Sequence, residues 1–136
     1  MTYGERKPDP PRSGLPDPAT RPAGVPWVRD FAPGKHYEII LDGRLAGVAV
    51  YERRPGRITF THTEVLADFK GQGMADRLAS AALDDVRARG DERVIPRCPF
   101  LAGFIGRHPE YQDLLAGPIA VYLRQAALLP ARDDPQ

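Results

Sequence analysis

The alternation of apolar and polar residues changes period along this chain, and each change marks an element. Residues 36–65, HYEIILDGRLAGVAVYERRPGRITFTHTEV, alternate as strands do. Asp42-Gly43 is a hairpin signal, because both central positions of that turn favour positive φ. Pro55-Gly56 suits the centre of a type II turn. The pattern therefore predicts three antiparallel strands over 36–41, 44–52 and 57–65. From Met74 to Arg89 the period lengthens to that of a helix. Met74, Ala75, Leu78, Ala79, Ala82 and Val86 gather on one side at 100° per residue, and Asp76, Arg77, Ser80, Asp84 and Arg87 on the other. Asp85 and Arg89 interrupt this division, but they stand four residues apart and can pair. Gly90 is a natural C-terminal cap.

After the cap, ERVIPRCPF predicts a short fourth strand. LAGFIGRHPEY predicts a second helix that Pro109 stops, and GPIAVYLRQAALL a third with Pro118 in its first turn. Residues 131–136 are expected to fray. The order is β-β-β-α-β-α followed by a tail, with the strand after the long helix parallel to the strand before it as in a βαβ unit. The fold class is α+β, with helices on a mostly antiparallel sheet.

Residues 1–33 differ in kind. They hold eight of the fifteen prolines, among them Pro26 and Pro33. Proline fixes φ and removes a donor, so this segment reads as a flexible arm unable to build a ladder, with Trp27, Val28 and Phe31 near its end able to dock. The division expected is arm 1–33, domain 34–116 and C-terminal extension 117–136.

Composition narrows the function classes. A formal net charge of +1 gives no general pull toward nucleic acid or an anionic membrane. No apolar run approaches the length of a membrane span, and the first residues lack the apolar segment of a signal peptide. The single cysteine, Cys98, cannot form an internal disulfide, and the three histidines lack metal-ligand spacing. A cytoplasmic protein without a metal is the expectation.

The candidate chemistry begins with DFKGQGMADRL, residues 68–78, where two glycines open the long helix. The first turn of a helix carries unpaired N–H groups and partial positive charge. Gly71 and Gly73 allow close approach to the backbone of residues 71–75, and Lys70 adds a cation. The loop lacks the Gly-Lys-Ser/Thr ending of a P-loop and the third glycine of a dinucleotide fingerprint. Lys70-Gly71-Gln72-Gly73-Met74-Ala75 instead resembles the Q/R-x-x-G-x-G/A loop of the GNAT superfamily of N-acetyltransferases, with Lys70 in the first place. THTEV before the loop and CPFLAGFIGRHPEY after the next strand are similar to segments of a minimal GNAT-like family, and the resemblance covers about residues 36–115.

That resemblance implies a compact acetyl-CoA-binding fold, with the pyrophosphate held by Lys70, Gly71, Gln72, Gly73, Met74 and Ala75, and a carbonyl polarised by a backbone N–H near Val65. Strict alternation puts Ile58, Phe60, His62 and Glu64 on one face of their strand and Thr59, Thr61, Thr63 and Val65 on the other. Glu64 or His62 can then take the proton of an attacking amine. Cys98 can protonate the departing CoA thiolate or carry the acyl group itself, with His62 or Arg97 to activate it. Arg107 and His108 can meet a phosphate at the nucleotide end. The leading expectation is an acetyl-CoA-dependent N-acyltransferase acting on an unidentified amine of a small molecule or a protein. A non-catalytic acyl-CoA-binding or sensing module is the alternative, and a Cys98–His62–Glu64 hydrolase a weaker third.

Overall fold

In a computed structural model, which describes residues 23–128, one mixed sheet carries helices on a single face. The strands are β1 (Trp27–Phe31), β2 (His36–Leu41), β3 (Arg44–Arg54), β4 (Arg57–Val65) and β5 (Arg93–Pro96), and they lie side by side in that order. The first four are antiparallel and β5 runs parallel to β4. The helices are α1 (Met74–Arg89), α2 (Pro99–Arg107) and α3 (Ile119–Leu128). The turns follow their sequence signals: Asp42 and Gly43 both have positive φ, and so does Gly56.

The sheet begins earlier than the proline content suggests. Trp27–Phe31 lies between Pro26 and Pro33, contains no proline, and pairs with β2 from Trp27↔Ile40 to Phe31↔His36. A short edge strand needs only one row of hydrogen bonds, so flanking prolines do not prevent it. The expectation of a segment unable to build a ladder is thus corrected for residues 27–31. The part of the expected arm over 1–22, and the fraying of 131–136, lie outside the described residues.

A second correction concerns β4. Tyr51 pairs with Phe60 and Val50 with His62, so Thr61 is an extra residue opposite nothing, a β-bulge. The bulge reverses the phase of alternation. Ile58 and Phe60 are buried before it, and Thr63 and Val65 are buried after it. His62 and Glu64 consequently do not share a face with Ile58 and Phe60. They stand on the face of the sheet that bears no helix of the described residues.

The helix-bearing face forms the core, where Tyr37, Ile39, Ile58, Phe60, Leu78, Leu83, Val86 and Val94 have almost no exposed surface. At one end of this layer lies a buried polar network. Tyr37 donates to Asp85 at 2.6 Å, and Arg53 bridges Asp30 at 3.0 Å and Glu92 at 2.8 Å. Arg89 bridges Asp30 at 2.6 Å and Asp85 at 3.1 Å. This explains the two charges that interrupt the apolar stripe of α1. They are not a surface pair but the helix's contribution to a cluster joining β1, β2, β3, α1 and the turn before β5. No helix of the described residues is long and apolar enough to cross a membrane.

Candidate active site

The network fixes one end of the sheet, and the strands separate at the other. The ladder between β4 and β5 runs from Arg57↔Arg93 to Phe60↔Pro96. Beyond it the backbone N–H groups of Arg97 and Cys98 both donate to Phe60 O, at 2.9 and 3.0 Å, and the chain turns into α2. Proline in the first turn of α2 sets this direction at no loss of helix hydrogen bonding. β4 continues from Thr61 to Val65 without β5 beside it, and the bulge sits where the two strands part. A fork of this kind leaves one edge of a central strand open to a ligand.

The glycine loop closes the mouth of the fork. Val65 ends β4, buried and paired with Gly47. A 3-10 turn at Ala67–Phe69 follows, then Lys70, whose side chain is exposed. Gly71 and Gly73 have φ of 82° and 77°, the left-handed region that an L side chain seldom enters. A Cβ at either position would meet nothing within 4 Å. The glycines are therefore required by the backbone path, and the space over them is open. Gly73 caps α1 without a side-chain hydrogen bond, and the first intrahelical bond runs from Arg77 N to Gly73 O at 3.1 Å. The N–H groups of Met74, Ala75 and Asp76 thus precede the helix's own bonding. Met74 and Ala75 turn their side chains into the core. Gln72 reaches back to Asp68 O at 3.4 Å. An uncapped helix start with open αL glycines and an exposed lysine fits a pyrophosphate.

The residues expected to carry chemistry fall on two sides of β4. His62 Nε2 lies 3.3 Å from Glu64 Oε1 on the helix-free face, and both side chains are substantially exposed. Across the sheet, Glu64 pairs with Val48, which in turn pairs with Glu38, and His62 pairs with Val50, which pairs with His36. Cys98 is buried on the other side, and its Sγ donates to Thr63 Oγ1 at 3.4 Å. Because adjacent residues of a strand point oppositely, Thr63 and Cys98 are separated from His62 by the strand itself. The expected activation of Cys98 by His62 is thereby excluded in this arrangement. Arg97, whose side chain is exposed, makes only backbone contacts here.

Arg107 and His108 also part company. The His108 ring stacks on Phe104 at 4.0 Å, and its Nδ1 donates to Phe104 O at 2.7 Å. A cavity of about 500 Å³ joins His108 and Tyr111 to Asp76, Arg77, Ser80 and Asp84 on the outer side of α1. Tyr111 OH, 3.0 Å from Ser80 Oγ, donates to Asp84 at 2.8 Å, and burial pushes its phenol above the ordinary value. Arg107 does not line this cavity. Among the described residues, no group of three or more His, Cys, Asp and Glu side chains is arranged to hold a metal ion.

Sequence reasoning missed Thr63 because it assumed unbroken alternation. A clue was present: Ile58, Phe60 and Val65 cannot all face one core at spacings of two and five unless a residue slips between them.

No curated protein matches this chain. A family description, GCN5-related N-acetyl-transferase, matches residues 36–114, more than half of the sequence and all of β2 through the turn that follows α2. With a bulged β4, a parallel β5 diverging from it and a glycine-opened helix between them, the chain belongs to the GCN5-related N-acetyltransferase family.

Proposed function

We propose that the protein transfers an acetyl group from acetyl-CoA to an amine. The observation that carries this reading is the start of α1: two αL glycines, no capping side chain, and unpaired backbone N–H groups at the mouth of the β4–β5 fork. The pyrophosphate of acetyl-CoA sits on those groups, with Lys70 as the nearby cation, and the thioester end lies along the free edge of β4. Arg77, which lines the cavity beside α1, is a cation available to the nucleotide end, and His108 lines the same cavity.

The two faces of β4 then have separate tasks. The acceptor approaches from the helix-free face, where Glu64 and His62 are exposed and in contact with each other. Glu64 takes the proton of the attacking amine, directly or through water, and His62 orients the carboxylate. Cys98 lines the opposite side, where the leaving sulfur departs. Backbone N–H near Val65 polarises the thioester carbonyl. The open sheet face suits a bulky acceptor such as a protein lysine or a polyamine, because no helix of the described residues covers it.

The test is release of CoA thiol from acetyl-CoA in the presence of a polyamine and a lysine peptide, with the acetylated amine measured by mass spectrometry. Stoichiometric formation of both products, slowed on the order of a hundredfold in Glu64→Gln, is expected for loss of a general base. Release of CoA without amine would mean thioester hydrolysis. Tight binding with no release by any amine would mean a binding module.

A further inference from the structure

Thr63 has no part in the reading above, yet it is the polar group that touches the Cys98 side chain. Both residues are more than nine-tenths buried. The main chain of Cys98 is fixed on both sides: its N–H donates to Phe60 O at 3.0 Å, and its carbonyl accepts from Ala102 N at 3.0 Å in the first turn of α2. The one freedom left to this residue is the rotation of its side chain. The contact of Sγ with Thr63 Oγ1 at 3.4 Å removes it. Thr63 is available for this because of the bulge at Thr61, which turns it from the open face to the fork. A hydroxyl has two acceptor sites and one proton of its own. Thr63 can therefore take the thiol proton's hydrogen bond.

We infer that Thr63 is a positioning residue, holding the Cys98 thiol at the β4–β5 fork with its proton in place, so that Cys98 serves as proton donor to the leaving sulfur and not as an acyl carrier. This rests on the acyltransferase reading. In that reaction the amine nitrogen forms a bond to the thioester carbonyl carbon, and the carbon–sulfur bond breaks with its electron pair left on the CoA sulfur. That sulfur takes the proton of Cys98 Sγ. The surplus proton of the amine passes to Glu64, which releases it to water, and water returns a proton to Cys98. The products are the amide and CoA thiol. No acyl group is ever bonded to Sγ. The geometry agrees, since His62, one of the two groups that could have activated Cys98, is on the other face of the strand, and Arg97, the second, has an exposed side chain.

Cys98 is the only cysteine of the chain, so its chemistry can be read without interference. The full chain is compared with Thr63→Val, which keeps the shape and removes the oxygen, and with Thr63→Ser, which keeps the oxygen. Alkylation of Cys98 by iodoacetamide, followed by mass spectrometry, is expected to be several-fold faster in Thr63→Val, with Thr63→Ser close to the unmodified chain. In acetyl transfer, Thr63→Val is expected to lose about tenfold in kcat, as for a modest misplacement of a reacting group, with the Kd for acetyl-CoA unchanged. Added to Cys98→Ala, it is expected to cause no further loss. Equal alkylation rates in all three proteins, additive losses in the double variant, or an acetyl thioester found on Cys98 would overturn the inference. If the unmodified chain transfers no acetyl group, the acyltransferase reading and the donor role fail together, while the alkylation ratio still decides whether Thr63 positions the thiol.

Discussion

Replacing Asp85 by alanine should destabilise the protein far more than its place on a charged helix suggests. Asp85 is fully buried. It accepts from Tyr37 OH at 2.6 Å and from Arg89 Nε at 3.1 Å. Removing it leaves a buried phenol without its short acceptor and a guanidinium with a partner lost. Breaking a buried ion pair by deleting one member costs about 3–5 kcal/mol. Here the loss is moderated, because Arg89 keeps Asp30 at 2.6 Å and is about a quarter exposed, and Tyr37 OH still accepts from Arg53 at 3.2 Å. The expected loss is therefore about 2–4 kcal/mol, a large part of the roughly 5–15 kcal/mol that holds a domain together. Tyr37→Phe removes the hydrogen bond to Asp85 and the longer one from Arg53, leaves both ions in place, and should cost about 1–3 kcal/mol. Urea unfolding at constant slope gives both values, and the double variant gives their coupling. A loss below about 1 kcal/mol for Asp85→Ala would refute the claim that this network anchors the closed end of the sheet. Because it lies away from the glycine loop, the folded variant should bind acetyl-CoA as the unmodified protein does.

Two further outcomes follow from the same geometry. Burial, and after it the hydrogen bonds to Asp85 and Asp30, push the Tyr37 and Tyr51 phenols well above their ordinary value. A phenol raised in the folded state contributes stability that is complete below about pH 10, where the unfolded chain begins to ionise, and is lost as pH rises further. Thermal melts should therefore fall in alkali, and absorbance of ionised tyrosine from these two rings should appear only with unfolding. Titration of every tyrosine near pH 10 in the folded protein would contradict this. Gly47→Ala places a Cβ 2.7 Å from Glu64 O, across from Val65, so it should cost about 1–3 kcal/mol by overpacking and displace the end of β4. Unchanged urea stability in that variant would show that the approach of β3 to β4 is not tight.

The legible part of the fold was the part carried by local signals. β2 and β3 end where the turn residues Asp42-Gly43 and Pro55-Gly56 place them, and α1 ends at Gly90 in the αL conformation. The glycine loop was legible for the same reason, since its spacing and its place before an apolar helix stripe are local. Three things were not. β1 is an edge strand flanked by two prolines, and only tertiary pairing makes it a strand. The bulge at Thr61 arises from a mismatch between β3 and β4, which neither strand shows alone. The buried network joins residues as distant as Asp30 and Arg89, and a charge-pattern reading assigns such residues to the surface. The site suffered most from the bulge, because one residue of slip exchanged His62 and Glu64 for Thr63 at the side of Cys98.

The central claim is that the start of α1 binds the pyrophosphate of acetyl-CoA, and calorimetric titration of acetyl-CoA into the unmodified chain and Gly73→Asp tests it most directly. Gly73 has φ of 77°, and aspartate tolerates that region better than most residues, so the variant should fold, as circular dichroism can verify. Its carboxylate would sit among the N–H groups that the phosphate needs. At a separation near 4 Å, two like charges cost from about 1 kcal/mol in water to about 4 kcal/mol at a protein surface. The account predicts saturable binding by the unmodified protein and a loss of at least about fivefold in the folded variant. Binding by neither protein, or equal binding by both, would contradict it.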